Sequence, residues 1–139
     1  MARTQYLVDT SVLARLTKPV VSAAFAPLAV EGRVAMCSPV AFELGFSARN
    51  SEDCRAVTDR LQAFPTVAVT DADLRRALEV QASLCDRGQH RAVSFVDGLV
   101  AAVAEAHGLT VLHYDADFEL VAAVTGQKQE WIVQPGAAE

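Results

Sequence analysis

Asp9, Glu43, Asp97 and Asp115 lie in four separate segments, each where a hydrophobic strand should end or a helix begin. Asp9 closes Tyr6-Leu7-Val8 and Asp115 closes Val111-Leu112-His113-Tyr114. Asp97 ends Ser94-Phe95-Val96-Asp97, Glu43 lies within Val40-Ala41-Phe42-Glu43-Leu44-Gly45-Phe46, and a fifth acid, Asp117, follows Asp115 closely. In a parallel α/β domain the carboxyl ends of the strands share one edge of the sheet, where ligands bind. Carboxylates gathered there repel one another unless a cation neutralises them. Magnesium suits such a set because it prefers hard oxygen ligands and keeps several waters, and manganese substitutes readily. Paired ions of this kind can hold the attacking water and the leaving oxygen of a phosphodiester.

Taken one at a time, most of these acids also have a local explanation. Asp9, followed by Thr10-Ser11, is a good helix N-cap. Asp97 has the spacing of a capping-box partner to Ser94, and Asp115 can cap the helix that carries Asp117 in its first turn. Glu43 is different. Phe42 and Leu44 flank it, and its helical neighbours Pro39, Phe46 and Ser47 offer no cation. Either a salt bridge from another segment or a bound metal has to compensate it. Thr10, Ser11, Arg15 and Arg91 are candidates for contact with water or substrate phosphate, with capping and solvated surface charge as their competing readings. His113, at a strand end, reads better as a packed core or rim residue.

The elements that must position these groups alternate along the chain. Strands are predicted at 6–8, 34–37, 66–69, 109–113 and 131–133. Helices are predicted at 20–30, stopped by Gly32; at 38–49, opened by Ser38 as cap and Pro39 as first helical residue; at 51–64 after Asn50; and at 71–85, with Leu74, Leu78 and Ala82 on the apolar stripe. Two more are predicted at 94–107, stopped by Gly108, and at 115–124. Ala101 and Ala104, stacked beneath Asp97, would let that helix approach the sheet closely. Strand–helix alternation implies a mostly parallel sheet covered on both faces. The expected organisation is a single α/β domain over 1–134, with 135–139 as a frayed tail.

Composition agrees with one globular domain: 139 residues, 52% apolar and 21% charged. The net charge of −5 argues against a broadly basic nucleic-acid-binding surface. It does not argue against a nuclease, since metal ligands contribute several of those charges. Cys37, Cys54 and Cys85 are widely spaced and show no zinc-binding pattern, so buried free thiols in a reducing cytosol are expected. Met1-Ala2-Arg3-Thr4-Gln5 has no apolar signal core and no span is long enough for a membrane, so a cytoplasmic location is expected. No GxxxxGK[ST], GxGxxG or GxSxG sequence occurs.

With those residues assembled, the chain resembles the PIN-domain ribonucleases, specifically the VapC-type toxins of bacterial toxin–antitoxin pairs. The matching pieces are Leu7-Val8-Asp9-Thr10-Ser11, Ser38-Pro39-Val40-Ala41-Phe42-Glu43, Val96-Asp97-Gly98-Leu99-Val100-Ala101-Ala102 and His113-Tyr114-Asp115-Ala116-Asp117-Phe118. The resemblance covers nearly the whole chain. It implies a PIN-like three-layer α/β/α fold and an acidic quartet, Asp9, Glu43, Asp97 and Asp115, that binds Mg2+ or Mn2+ for RNA cleavage, with Asp117 auxiliary. It further implies a homodimer or a toxin–antitoxin hetero-oligomer, a cognate VapB-type antitoxin and an RNA substrate.

Three other readings compete on sequence. A receiver-type phosphoacceptor wants paired acids after the first strand and a late lysine, whereas Asp9 stands alone and no lysine occurs between Lys18 and Lys128. A haloacid-dehalogenase-type phosphohydrolase would need an acid at position 11, which is Ser11. A non-catalytic PIN-like module with metal-stabilised acids would share every motif.

Overall fold

A computed structural model describes residues 3–139; Met1 and Ala2, part of the opening read above, lie outside the described residues. Five strands form one sheet: β1 (Tyr6–Val8), β2 (Val34–Cys37), β3 (Thr66–Val67), β4 (Thr110–His113) and β5 (Gln129–Trp131). Their order is β3-β2-β1-β4-β5, and every pairing is parallel. Successive strand residues point to opposite faces, yet all of β1 and β2 and most of β4 are buried. Both faces are therefore covered, which is the expected three-layer arrangement.

The helices are α1 (Thr10–Leu13), α2 (Pro19–Val30), α3 (Ser38–Phe46), α4 (Ser51–Leu61), α5 (Asp71–Asp86), α6 (Phe95–Ala106) and α7 (Asp117–Thr125). The chain travels from β1 outward through β2 to β3, then crosses back to β4 and β5 on the other side of β1. Strand order thus reverses beside β1, at the place where open α/β sheets bind ligands. The register Val8↔Leu112 sets the ends of β1 and β4 level, and Asp9 N donates to Leu112 O at 2.9 Å. Asp9 and Asp115 leave the sheet on either side of this switch point.

Several sequence expectations change. Cys37, not Ser38, is the N-cap of α3, and Ser38 makes no capping bond because it has already entered the helix. The buried face of α5 is Asp73, Val80 and Leu84; Leu74 and Leu78 are rotated off it and remain exposed. The closing strand falls on Gln129–Trp131, two residues earlier than hydropathy suggested, because Val111, Leu112 and His113 pair with it there. The tail expected to fray is docked instead: Ala138 is only 3% exposed. Its Tyr114 anchor was not legible as a partner from spacing alone.

The expected close approach of α6 is present. Ala101 and Ala104 are buried along with Val100 and Val103, so the helix packs its small-residue face into the core. This seats the helix N-terminus, and Asp97 with it, at the carboxyl edge of the sheet.

Candidate metal centre in a PIN domain

The first acid is held by its own turn. Asp9 has an extended backbone and caps α1. Its Oδ2 accepts Ser11 N–H at 3.0 Å and the Ser11 hydroxyl at 2.6 Å. Its Oδ1 is buried and has no hydrogen-bond partner, as is Thr10 Oγ1 beside it. A buried acceptor left unpaired carries a desolvation cost, and such atoms in native proteins point to an ion or water. The capping that might have explained Asp9 away therefore occupies only one of its two oxygens.

Asp97 is the third residue of α6, where its backbone N–H donates to Ser94 Oγ at 3.2 Å. No hydrogen bond returns from the Asp97 carboxylate to the Ser94 backbone. The cap is one-sided, so the carboxylate is free to face the sheet edge. Asp115 is fixed from both sides: its N–H donates to His113 Nδ1 at 3.0 Å and its Oδ1 accepts Asp117 N–H at 3.0 Å.

These three carboxylates each offer an oxygen within 4.8 Å of the others. Burial first, then the charges of Asp9, Asp115, Glu43 and Asp117, pushes the Asp97 carboxyl up to about 8. Asp9 is also raised, by burial above all, although its Ser11 hydrogen bonds pull the other way. Asp117 is raised by burial and by Asp115. Among the described residues no salt bridge reaches any of these acids. An all-oxygen set without a basic partner, with an orphaned Oδ1 inside it, fits a hard divalent cation.

Glu43 stands apart from the close triad. It is half-buried on α3, near enough for its charge to raise Asp9 and Asp97. Among the described residues no salt bridge compensates Glu43, as its helical neighbours implied, but Phe42 and Phe46 beside it are 78% and 84% exposed. The buried stripe is Val40 and Leu44, so the aromatic neighbours point to solvent and do not enclose the carboxylate. Asp117 lies at the edge of the cluster through Asp115. Ser11 supports Asp9 directly. Arg15 is half-buried, donating from Nη1 to Ser11 O at 2.9 Å and from Nε to Ala138 O at 3.1 Å, which leaves its Nη2 uncommitted. Arg91 is exposed in the loop before α6.

Residues 6–124 match the PIN domain. The chain belongs to the PIN-domain family. Over 135 residues this PIN domain is 47% identical to "Ribonuclease VapC51" of Mycobacterium tuberculosis, covering 97% of this chain and 98% of that protein. It is 45% identical over 136 residues to "Ribonuclease VapC21" of the same organism, with 97% and 99% covered. Among solved structures, the DNA-bound VapBC from Salmonella typhimurium matches with a TM-score of 0.78 at 17% identity, covering 94% of this chain and 99% of that one. FitAcB from Neisseria gonorrhoeae matches at 0.70 and 21% identity, with 90% and 96% covered. At those identities the structural likeness is one of fold, while the curated relatives place the PIN domain in the VapC branch.

His113 was legible in the sequence only as a core residue. It is fully buried, and burial lowers its pKa, against the opposing effect of its Gln129 bond. Because Nδ1 accepts from Asp115, the neutral ring carries its proton on Nε2 and donates to Gln129 Oε1 at 2.6 Å. His113→Leu keeps most of the volume but leaves Asp115 N–H and Gln129 unpaired. The expected loss is about 1–3 kcal/mol of unfolding free energy, read by urea denaturation. Retention of full stability would show that the His113–Asp115 bond carries no weight.

Proposed function

We propose that this VapC-branch PIN domain is a Mg2+- or Mn2+-dependent endoribonuclease, the toxin of a toxin–antitoxin pair, with Asp9, Glu43, Asp97 and Asp115 as its acidic quartet. The observation that carries the reading is the close carboxylate triad, with Asp9 and Asp97 buried and Asp115 half-buried, and its unpartnered Asp9 Oδ1. The relatives' names as ribonucleases supply the reaction class. A divalent ion held there would supply Lewis acidity, acidifying a coordinated water and offsetting charge on a phosphodiester.

The residues divide the remaining work. Asp9 offers Oδ1 because Ser11 occupies Oδ2. Asp97 contributes from the α6 N-terminus, and Asp115 from a loop locked by His113 and Asp117. Glu43, outside the close triad, acts through water at the rim, and Asp117 is auxiliary. Thr10 Oγ1 is a free hydroxyl for a bound water, and Arg91, exposed in the loop before α6, is the candidate contact for RNA phosphates. In-line attack with displacement of the 3′ oxygen leaves 3′-hydroxyl and 5′-phosphate ends.

Cleavage of cellular RNA would inhibit translation and growth until a cognate VapB-type antitoxin binds. The solved structures similar in fold include a toxin–antitoxin complex from Klebsiella pneumoniae and a member of the VapBC family of toxin–antitoxin systems from Mycobacterium tuberculosis, in keeping with a homodimer or a hetero-oligomer with the antitoxin. No helix among the described residues is long and apolar enough to cross a membrane, in keeping with action in the cytoplasm. The test is incubation of purified protein with total RNA in Mn2+, then in EDTA. New 5′-phosphate ends that appear with Mn2+ and disappear with EDTA are expected. Thermal stabilisation by Mn2+ without any cleavage would favour the non-catalytic binding module instead.

A further inference from the structure

The docked segment at 135–139 connects to the triad through a closed set of bonds. Tyr114 is 6% exposed, and its phenolic oxygen accepts Gly136 N–H at 2.7 Å and Ala138 N–H at 3.1 Å. Both acceptor sites of that oxygen are then in use, and its proton faces Glu139 Oε1 at 3.5 Å. Gly136 has φ +92°, a backbone conformation that glycine favours, and this lets two alternate N–H groups converge on one oxygen. Arg15 closes the other side. Its guanidinium lies 4.7 Å from the Tyr114 ring centroid while Nε donates to Ala138 O.

Both anchors also end on Ser11. Tyr114 N–H donates to Ser11 Oγ at 2.8 Å, and Arg15 Nη1 donates to Ser11 O at 2.9 Å. Ser11 in turn gives Asp9 Oδ2 its N–H and its hydroxyl proton. The hydroxyl is committed in both directions, so its rotor has one orientation. Asp9 is thereby turned with Oδ2 saturated and Oδ1 free. Tyr114 immediately precedes Asp115, so the same bonds set the end of β4 against the first turn of α1.

We propose that Tyr114, Arg15 and the segment Gly136–Ala138 form a clasp of positioning residues that fixes Asp9 relative to Asp115. The inference rests on reading the triad as a metal centre. A purely structural docking of the segment would stabilise the fold but leave cation affinity alone. The clasp makes a further demand: partners that hydrogen-bond a metal ligand, as Ser11 does Asp9, affect metal affinity by about 10–100-fold, and the clasp holds Ser11.

The test is Mn2+ binding by isothermal titration calorimetry, with melting temperature and far-UV circular dichroism measured in parallel. It compares the unaltered protein, Tyr114→Phe and a chain ending at Gln134. Tyr114→Phe keeps the ring under Arg15 and removes only the oxygen that holds the segment. Both variants should bind Mn2+ more weakly while folded, by less than the about 10–100-fold that follows loss of a ligand's own hydrogen-bond partner. Tyr114→Phe in the shortened chain should add little, since the two changes break the same link. Wild-type Mn2+ affinity in both folded variants, with lowered melting temperatures only, overturns the clasp and leaves the metal centre standing. Absence of Mn2+ binding by the unaltered protein overturns both. Should Tyr114→Phe fail to fold, the shortened chain and Arg15→Lys decide the matter by the same affinity comparison.

Discussion

Asp97→Asn is expected to raise the melting temperature of the metal-free protein and, in the same molecule, to abolish RNA cleavage. The two effects have one cause. Burial and four neighbouring carboxylates press on Asp97, so the metal-free fold must either hold a proton there or bear a charge that no basic residue offsets, and a neutral isostere avoids both costs. The same replacement takes away a third of the close oxygen set. Loss of a directly contacting carboxylate should exceed the roughly 10–100-fold cost of losing an outer-shell partner, so cleavage should fall by more than about a hundredfold. Asp9→Asn should lose cleavage to the same degree. Its gain in stability should be smaller, because the Ser11 N–H and hydroxyl that favour the Asp9 carboxylate would be less well matched by an amide. Differential scanning fluorimetry in EDTA, beside a cleavage assay in Mn2+, reads both halves. A variant destabilised without metal, or one that still cleaves, would count against the repulsive triad.

The second large effect is on pH. Asp97 in the folded protein titrates near 8, against an ordinary value of 3.8. The metal-free fold therefore keeps a proton that the unfolded chain has already released. Its contribution to stability is complete below about pH 4 and is lost as pH rises toward 8. Asp9 and Asp117, also raised, act with the same sign. One proton held only by the folded state lowers stability by up to about 1.4 kcal/mol per pH unit, or about 4 °C in Tm for a domain of this size. Mg2+ requires the ionised carboxylates, so its binding should tighten with pH over the same window and expel a proton. At one hundred times Kd the ion should restore about 2.7 kcal/mol. Melting curves from pH 5 to 8, with Mg2+ and with EDTA, should diverge as pH rises, and Asp97→Asn should flatten the EDTA curve. Parallel curves would mean that no ion couples to these acids.

Much of the centre was legible because its placement follows from local rules. A short buried strand followed by an acid and helix-capping residues marks Asp9 and Asp115, and a Ser94 cap with alanines beneath marks Asp97. Topology then does the gathering, since a strand order that reverses beside β1 brings the ends of β1 and β4 together. What was misread depends on which way a face points. Phe42 and Phe46, the apolar neighbours of Glu43 in sequence, face outward, and Leu74 and Leu78 follow a helical period yet stand off the buried face of α5. Helical spacing identifies a stripe, whereas the neighbouring element decides whether that stripe is covered. The docking of residues 135–139 was hidden for a related reason. Two backbone N–H groups and one carbonyl in a Pro-Gly-Ala-Ala segment carry no side-chain signal, and their partners, Tyr114 and Arg15, are more than twenty residues away in sequence.

The most direct measurement is the rate of RNA cleavage as a function of Mn2+ concentration, in the unaltered protein and in Asp97→Asn. A saturating curve is predicted for the unaltered protein, with its midpoint at the Mn2+ Kd found by calorimetry and activity removed by EDTA, and a flat baseline is predicted for Asp97→Asn. Cleavage that persists in EDTA, or an Asp97→Asn curve that rises with the unaltered protein's, would contradict a metal-dependent nuclease centred on Asp9, Asp97 and Asp115.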